Sequence, residues 1–81
     1  MKRISLLDPA VAALQRHRNM AQRITDKLNI YAENPSALAN QMTELRGIPL
    51  KRLRVGKFRV LFEETETEIV VTDIGPRGSI Y

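Results

Sequence analysis

The chain has 81 residues, which is enough for one domain with a modest core, and we expect a single domain over residues 1–81. It contains no cysteine, which excludes disulfides, thiolate metal ligands and a cysteine nucleophile, and favours the cytosol as its compartment. With 13 Lys and Arg against 9 Asp and Glu, its formal net charge is +4, so the surface should attract polyanions or an acidic partner.

The first third of the chain predicts a short strand followed by two helices. Residues 2–7 suit an edge strand, and they are too short an apolar run for a signal peptide or a membrane span, so we expect neither. Asp8 followed by Pro9 predicts a helix over residues 9–18, because aspartate caps free amides and proline is tolerated in the first turn. A second helix is expected over residues 20–33, where apolar side chains recur every three or four positions. These side chains are Met20, Ile24, Leu28 and Tyr31.

A third, shorter helix is expected over residues 36–45. Ser36 would cap it, and Leu38, Met42 and Leu45 would form its apolar side. Asn34-Pro35 separates it from the second helix, and Gly47 and Pro49 end it.

From residue 52 onward the apolar period changes to two, which predicts strands. Residues 52–55 and 58–63 flank Gly56-Lys57, a pattern typical of a hairpin with a type II′ turn. Residues 68–74 are rich in β-branched side chains and should add another strand after a turn at 65–67. Helices followed by strands predict an α+β fold, in which an amino-terminal helical hairpin packs on a small, twisted, antiparallel sheet of about four strands.

The hairpin pattern also places several arginines on one face of the sheet. A two-residue turn pairs Arg54 directly with Arg59, while the neighbouring Arg52 shares their face. Like charges in this position cost up to about 1 kcal/mol, and a bound anion would remove that cost. The arginines could simply form the solvated side of a half-buried sheet, but their planar fork matches phosphate oxygens better than lysine does.

The remaining polar residues suggest no metal or nucleotide-cofactor site. His17 is the only histidine, and we expect it on a helix surface. Glu63, Glu64, Glu66 and Glu68 lack ligand spacing, and there is no phosphate-cradling glycine loop and no Ser/His/Asp arrangement. After the last strand, residues 75–81 form a glycine- and proline-containing turn that carries Arg77 and Tyr81, which in the simplest interpretation are a loop charge and an edge-packing ring.

Four segments resemble the RelE/ParE toxin superfamily, in the expected order and over nearly the whole chain. They are residues 31–35 (Tyr-Ala-Glu-Asn-Pro), 45–47 (Leu-Arg-Gly), 53–62 (Leu-Arg-Val-Gly-Lys-Phe-Arg-Val-Leu-Phe) and 74–81 (Ile-Gly-Pro-Arg-Gly-Ser-Ile-Tyr). The block from Leu53 to Val60 is the specific signal. The resemblance to the RelE branch implies a cytoplasmic, metal- and cofactor-independent endoribonuclease that cuts messenger RNA at the ribosome, neutralised by a cognate antitoxin in a hetero-oligomer.

In that branch the RNA 2′-hydroxyl attacks the adjacent phosphodiester, leaving a cyclic phosphate and a 5′-hydroxyl. The resemblance implies that Arg59 holds the scissile phosphate, that Arg77 lies near the leaving oxygen, and that Tyr81 acts as base or orienter. The residues expected to bind the RNA backbone are Lys51, Arg52, Arg54 and Lys57.

The chain departs from the family pattern close to this proposed site. Gly78 and Ser79 stand where many relatives carry a basic residue and an acid, Pro76 where others often carry histidine, and Leu50 where some carry lysine. Two alternatives therefore stay open. One is a ParE-like inhibitor of DNA gyrase, although an arginine loop ending in tyrosine argues against it, and the other is a toxin-like module that binds RNA or a partner without cleavage.

Overall fold

A computed structural model describes residues 1–78 of the chain, which form two layers: a sheet and the helices that cover one of its faces. The elements in chain order are β1 (Arg3–Leu6), α1 (Asp8–Arg16), α2 (Arg18–Glu33), a 3₁₀ helix (Pro35–Gln41), β2 (Met42–Glu44), β3 (Lys51–Val55), β4 (Phe58–Glu64) and β5 (Glu68–Pro76). The α+β architecture expected from the sequence is confirmed.

The sheet has five strands in the order β1-β5-β4-β3-β2, one more than expected. β2 to β5 are antiparallel, whereas β1 lies at the edge and runs parallel to β5, with Ile4 opposite Ile69. β1 is thus the edge strand that the sequence suggested, but it makes the sheet mixed. β1 can pair in parallel with β5 because a long connection, which begins with α1 and α2, leads from β1 back to the same sheet.

The two amino-terminal helices form as predicted, with small differences at their ends. α1 begins one residue early, with Leu7 as its cap residue, so Asp8 lies in the first turn and makes no side-chain cap. There its charge still favours the positive end of the helix. α1 ends at Arg16, and His17 separates it from α2. The apolar stripe of α2 is buried as predicted, at Met20, Ile24, Leu28 and Tyr31.

The prediction of a helix over residues 36–45 is wrong for the second half of this segment. Residues 35–41 form a 3₁₀ helix with a kink at Leu38, and Ser36 does not cap it but donates a hydrogen bond to the Asn34 side chain (2.8 Å). Residues 42–44 instead form β2, with Met42 opposite Leu53. Strand β3 would otherwise present an unpaired edge, and β2 satisfies its backbone groups.

The core lies between the helices and one face of the sheet. Leu53, Val55, Val60 and Phe62 from the hairpin are at most 1% exposed, and the ring of Tyr31 meets that of Phe62 edge-on at 5.2 Å. No helix in the described part of the chain covers the other face, on which Arg54 and Arg59 lie. None of the helices within residues 1–78 is both long and apolar enough to cross a membrane.

A bulge in β5 allows this strand to supply the core along its whole length. Val71 and Ile74 are both buried, although three positions separate them and strict alternation would place them on opposite faces. Phe62 pairs with Val71 and Leu61 with Asp73, so Thr72 is the extra residue. The bulge resets the alternation, so that the end of β5 arrives beside the β3–β4 turn with a defined orientation.

Candidate functional site

The β3–β4 turn and the end of β5 enclose a small cationic cavity. Its volume is about 210 Å³, and its walls are Arg54, Gly56, Lys57, Phe58, Arg59 and Arg77. The hairpin register is the one predicted from the sequence, with Arg54 opposite Arg59 and Val55 opposite Phe58. Gly56 has a φ of +59°, the positive value that the first position of a tight hairpin turn requires. The turn therefore fixes two guanidinium-bearing positions side by side.

Backbone pairing brings Arg77 to the same place. β5 runs alongside β4 with Gly75 opposite Arg59 and Pro76 opposite Phe58. The Arg77 amide then donates a hydrogen bond of 2.7 Å to the Lys57 carbonyl. A residue near the carboxy-terminal end of the chain is thus bound directly to the hairpin turn, and a loop charge becomes a wall of the cavity.

The cavity gathers positive charge. The pKa of Arg59 is lowered from its usual value by partial desolvation and by the charges of Arg52, Arg77 and Arg54. These neighbouring charges disfavour the charged form of Arg59, and an anion bound among them would reverse the effect. Guanidinium groups stay charged at neutral pH, so the cavity is suited to binding a phosphate or carboxylate.

Lys51, which the sequence grouped with the arginines, lies elsewhere. It is opposite Phe62 on the helix-covered side of the sheet, and its ammonium donates a hydrogen bond of 2.7 Å to Glu64. Glu64 also accepts hydrogen bonds of 2.7 Å from Lys2 and from the Tyr31 hydroxyl. The structure therefore brings Lys51 into a structural ion-pair cluster and not into the arginine cavity.

This Glu64 cluster was not predicted from the sequence, because its members lie on three separate elements and at the amino terminus. Burial by itself raises the pKa of Glu64, but hydrogen bonds from Lys2, Lys51 and Tyr31 lower it to about 2. Burial and the contact with Glu64 raise the pKa of the Tyr31 hydroxyl, and the hydrogen bond to Glu64 raises that of Lys51. The cluster ties α2, β3 and β4 to the chain's amino terminus, and its single carboxylate is shared by two ammonium groups.

Comparison with solved structures identifies the architecture. The chain superposes on the archaeal RelE–RelB complex from Pyrococcus horikoshii with a TM-score of 0.77 and 24% identity, covering 96% of this chain and 97% of that one. YafQ from Escherichia coli gives a TM-score of 0.81 at 8% identity, covering 100% and 99%. The RelB–RelE antitoxin–toxin complex from Methanococcus jannaschii gives 0.74 at 20% identity, covering 95% and 94%.

The chain has the RelE-like fold. The expectation from the sequence segments is thus confirmed at the level of the fold. No protein-family model matches the chain. A search of curated proteins likewise finds no match.

Within this RelE-like fold, the predicted site residues fall into three groups. One cavity is lined by Arg54, Lys57, Arg59 and Arg77. Arg52 lies on the same face, and its positive charge helps to lower the pKa of Arg59. Lys51 is engaged by Glu64. Tyr81 lies outside the described residues, as does Ser79.

A second cavity of about 370 Å³ lies at the opposite end of β3. It is lined by Glu44, Leu45, Ile48, Pro49, Leu50, Lys51 and Glu64. Although it is the larger of the two, its half-buried carboxylate, Glu64, already accepts hydrogen bonds from two lysines and a hydroxyl. The arginine cavity, into which four cationic side chains converge, is therefore the stronger candidate site of this chain.

Two further expectations concern His17 and metal binding. His17 lies at the break between α1 and α2, where its ring meets that of Phe58 edge-on at 4.8 Å, so it contacts the hairpin and is not on an open helix surface. Among residues 1–78, no three His, Cys, Asp or Glu side chains come together in a way that could hold a metal ion.

Proposed function

We propose that this chain is the toxin of a type II toxin–antitoxin system and that it cleaves messenger RNA at the ribosome without a metal ion. The observation that carries the proposal is the cavity in which Arg54, Arg59 and Arg77 meet beside one hairpin turn. Three guanidinium groups around a small concave site suit a phosphodiester, whose charge increases in the transition state of cleavage. The RelE-like fold supports the same assignment.

The chemistry requires a bound phosphate, charge stabilisation and proton transfer. Arg59, at the centre of the cation group, is proposed to hold the scissile phosphate, with Arg54, Arg52 and Lys57 binding the adjoining backbone. Arg77 is proposed to stabilise charge on the leaving oxygen. Cleavage then proceeds by attack of the 2′-hydroxyl oxygen on phosphorus, expelling the 5′-oxygen, which takes a proton, and leaving a 2′,3′-cyclic phosphate.

Proton transfer is assigned to Tyr81 by the resemblance alone. An ordinary tyrosine has a pKa near 10, and neighbouring cations favour its deprotonated form, so an arginine-rich site shifts it in the useful direction. The arginines themselves are poor proton carriers but good electrostatic stabilisers.

A cognate antitoxin is the proposed protein partner. Solved relatives of the fold are RelE–RelB and DinJ–YafQ complexes. A toxin with a net charge of +4 would pair with an acidic or amphipathic antitoxin that folds partly on binding. The resulting hetero-oligomer would keep the toxin inactive in the cytoplasm.

Primer extension on cellular messages after brief induction tests the proposal. The wild type is compared with Arg59→Ala, Arg77→Ala and Tyr81→Phe, and with Arg46→Ala as the matched control. Arg46 is exposed in the β2–β3 connection, at the opposite end of β3 from the cavity. We expect discrete cuts with the wild type and the control, and at least about a hundredfold fewer cuts with the site variants, as for loss of one transition-state contact.

Two other outcomes would replace the proposal. Growth arrest with intact messages and inhibited DNA supercoiling would indicate a ParE-like gyrase inhibitor. RNA binding that weakens steeply with salt, without any cleavage product, would indicate a binding module. In both cases the arginine cavity would be a docking surface and not a catalytic site.

A further inference from the structure

Helix α2 contacts the hairpin turn through one side of its first two turns. The His17 ring, just before α2, meets Phe58. One turn later, the terminal methyl of Met20 lies 3.6 Å from the position that a Cβ on Gly56 would occupy. Arg23 follows, and its guanidinium Nη2 lies 3.3 Å from the same position. The absence of a side chain at residue 56 lets this arginine reach the turn.

Arg23 brings a charge that the described part of the chain does not neutralise. Its one hydrogen-bond partner within residues 1–78 is the Met20 sulfur at 3.9 Å, which is a weak acceptor, and it forms no ion pair there. The side chain is exposed, and the first turn of α2 contains no acid. A guanidinium is thus anchored at the turn by packing and has donors left for an anion.

Gly56 is also a wall of the arginine cavity. Arg23 therefore approaches from the helical layer a turn that Arg54, Arg59 and Arg77 approach from the sheet. The cations of the two layers meet at the hairpin turn. A polyanion that enters the cavity and continues past the turn in this direction meets Arg23 next.

We propose that Arg23 binds the RNA backbone at a phosphate next to the one in the cavity, so that the strand crosses the hairpin turn from the sheet onto α2. This inference rests on the proposed function, since it takes RNA as the ligand. Arg23 is a positioning residue: it sets the path of the strand, and the chemistry stays with the groups in the cavity.

Binding of a labelled single-stranded 2′-O-methyl RNA, which the proposed chemistry does not cleave, tests the assignment. Anisotropy titrations over a range of KCl concentrations compare the wild type with Arg23→Gln, Arg23→Lys, Arg59→Gln and Arg46→Gln. We expect Arg23→Gln to weaken binding about fivefold at low salt, as for one exposed ion pair. It should also reduce the log-log salt slope by about 0.7, because one phosphate contact is lost.

The other variants separate charge from packing. Arg23→Lys keeps the charge and should keep the salt slope, while Arg46→Gln should leave both affinity and slope unchanged. A thermal melt of each variant shows whether a change in binding follows from unfolding. A purely structural role for Arg23 would lower the midpoint of thermal unfolding in Arg23→Gln, but the protein that remains folded would bind RNA with an unchanged log-log salt slope.

Failure of this inference is distinguishable from failure of the proposed function. If Arg59→Gln loses affinity while Arg23→Gln binds RNA as the wild type does, Arg23 is only a helix-surface residue and the inference is overturned. The same holds if Arg23→Gln weakens binding of a polyglutamate probe but not of RNA, which would assign the residue to an acidic protein partner. If the wild type does not bind RNA at all, the inference about Arg23 is overturned, whereas the proposed function is still decided by the primer-extension experiment.

Discussion

Arg54 and Arg59 lie directly opposite each other across β3 and β4, one residue pair from the turn and on the face that the helices leave open. Like charges in a cross-strand pair destabilise the sheet. We therefore expect Arg54→Thr to raise the free energy of unfolding by about 0.3–1 kcal/mol at low ionic strength. Urea unfolding measures the change, which should shrink in 1 M salt because exposed charges are then screened.

Arg3→Thr is the matched control for this substitution. Arg3 is also an exposed strand arginine, but its neighbour in the register is Glu68, an opposite charge. The same change of side chain should therefore not stabilise the protein at residue 3. Inorganic phosphate should favour the wild type over Arg54→Thr, because a ligand of the native state adds to its stability. Loss of stability in Arg54→Thr would contradict the argument.

The hairpin could be predicted from the sequence because all its determinants are local. Gly56 supplies the positive φ, a two-residue turn fixes the register, and alternation separates the arginine face from the core face. Arg54 and Arg59 could thus be paired correctly without a structure. Arg77 could be assigned to the site only through the family resemblance, because its position depends on the pairing of β5 with β4.

The features that could not be predicted depend on long-range contacts. β2 is short and has no alternating pattern of its own, and it becomes a strand because β3 offers it an edge. Alternation along β3 puts Lys51 and Arg52 on opposite faces, but the partner that engages Lys51, Glu64, is distant in the sequence. The β5 bulge could likewise not be predicted from the sequence of β5, because it is defined by the pairing of β5 with β4.

That bulge gives a prediction about Thr72. Deleting Thr72 would restore a regular ladder in which Phe62 still pairs with Val71 and Val60 with Ile74, so both of these side chains, which are at most 2% exposed, would stay in the core. Turning either side chain out of the core would instead cost about 1.5–3 kcal/mol before any repacking, a large share of the stability of a domain of this size. We therefore expect the deletion variant to keep the sheet and to remain folded by circular dichroism.

Thr72→Ala provides the control for the deletion. It removes the hydroxyl that donates to the Leu61 carbonyl at 3.3 Å but keeps the residue count, so it should cost about 1 kcal/mol or less. A deletion variant that unfolds while Thr72→Ala stays folded would show that the sheet needs the bulge itself and would refute the role given to Thr72 as an extra residue.

The Glu64 cluster predicts how stability depends on pH. Glu64 has a folded-state pKa of about 2 against 4.5 for the unperturbed group, so its contribution is fully present above about pH 4.5 and is lost as the pH falls toward 2. Tyr31 has a raised pKa, so its contribution is present below pH 10 and is lost as the pH rises above it. Urea unfolding at a series of pH values should show a plateau between these limits.

Glu64→Gln isolates the carboxylate. It leaves the ammonium groups of Lys2 and Lys51 without their shared partner, which should cost on the order of 2 kcal/mol at pH 7. Because glutamine does not titrate, the variant should also lose most of the dependence between pH 4.5 and 2. Glu63→Gln, on the neighbouring exposed position, should retain it. If Glu64→Gln still loses stability between pH 4.5 and 2 as the wild type does, that loss must come from other carboxyl groups.

Gly56→Ala connects the turn geometry to Arg23. Gly56 and Gly47 both have positive φ, +59° and +77°, so alanine at either position should cost about 1–2 kcal/mol in backbone strain. They differ in surroundings, because a Cβ at residue 47 meets nothing within 4 Å, whereas one at residue 56 crowds the Arg23 guanidinium.

Only Gly56→Ala should therefore weaken RNA binding, and it should also diminish the further effect of Arg23→Gln. A double-mutant cycle over these two residues, measured by RNA anisotropy, gives that coupling directly. Additive effects would mean that Arg23 binds without support from the turn.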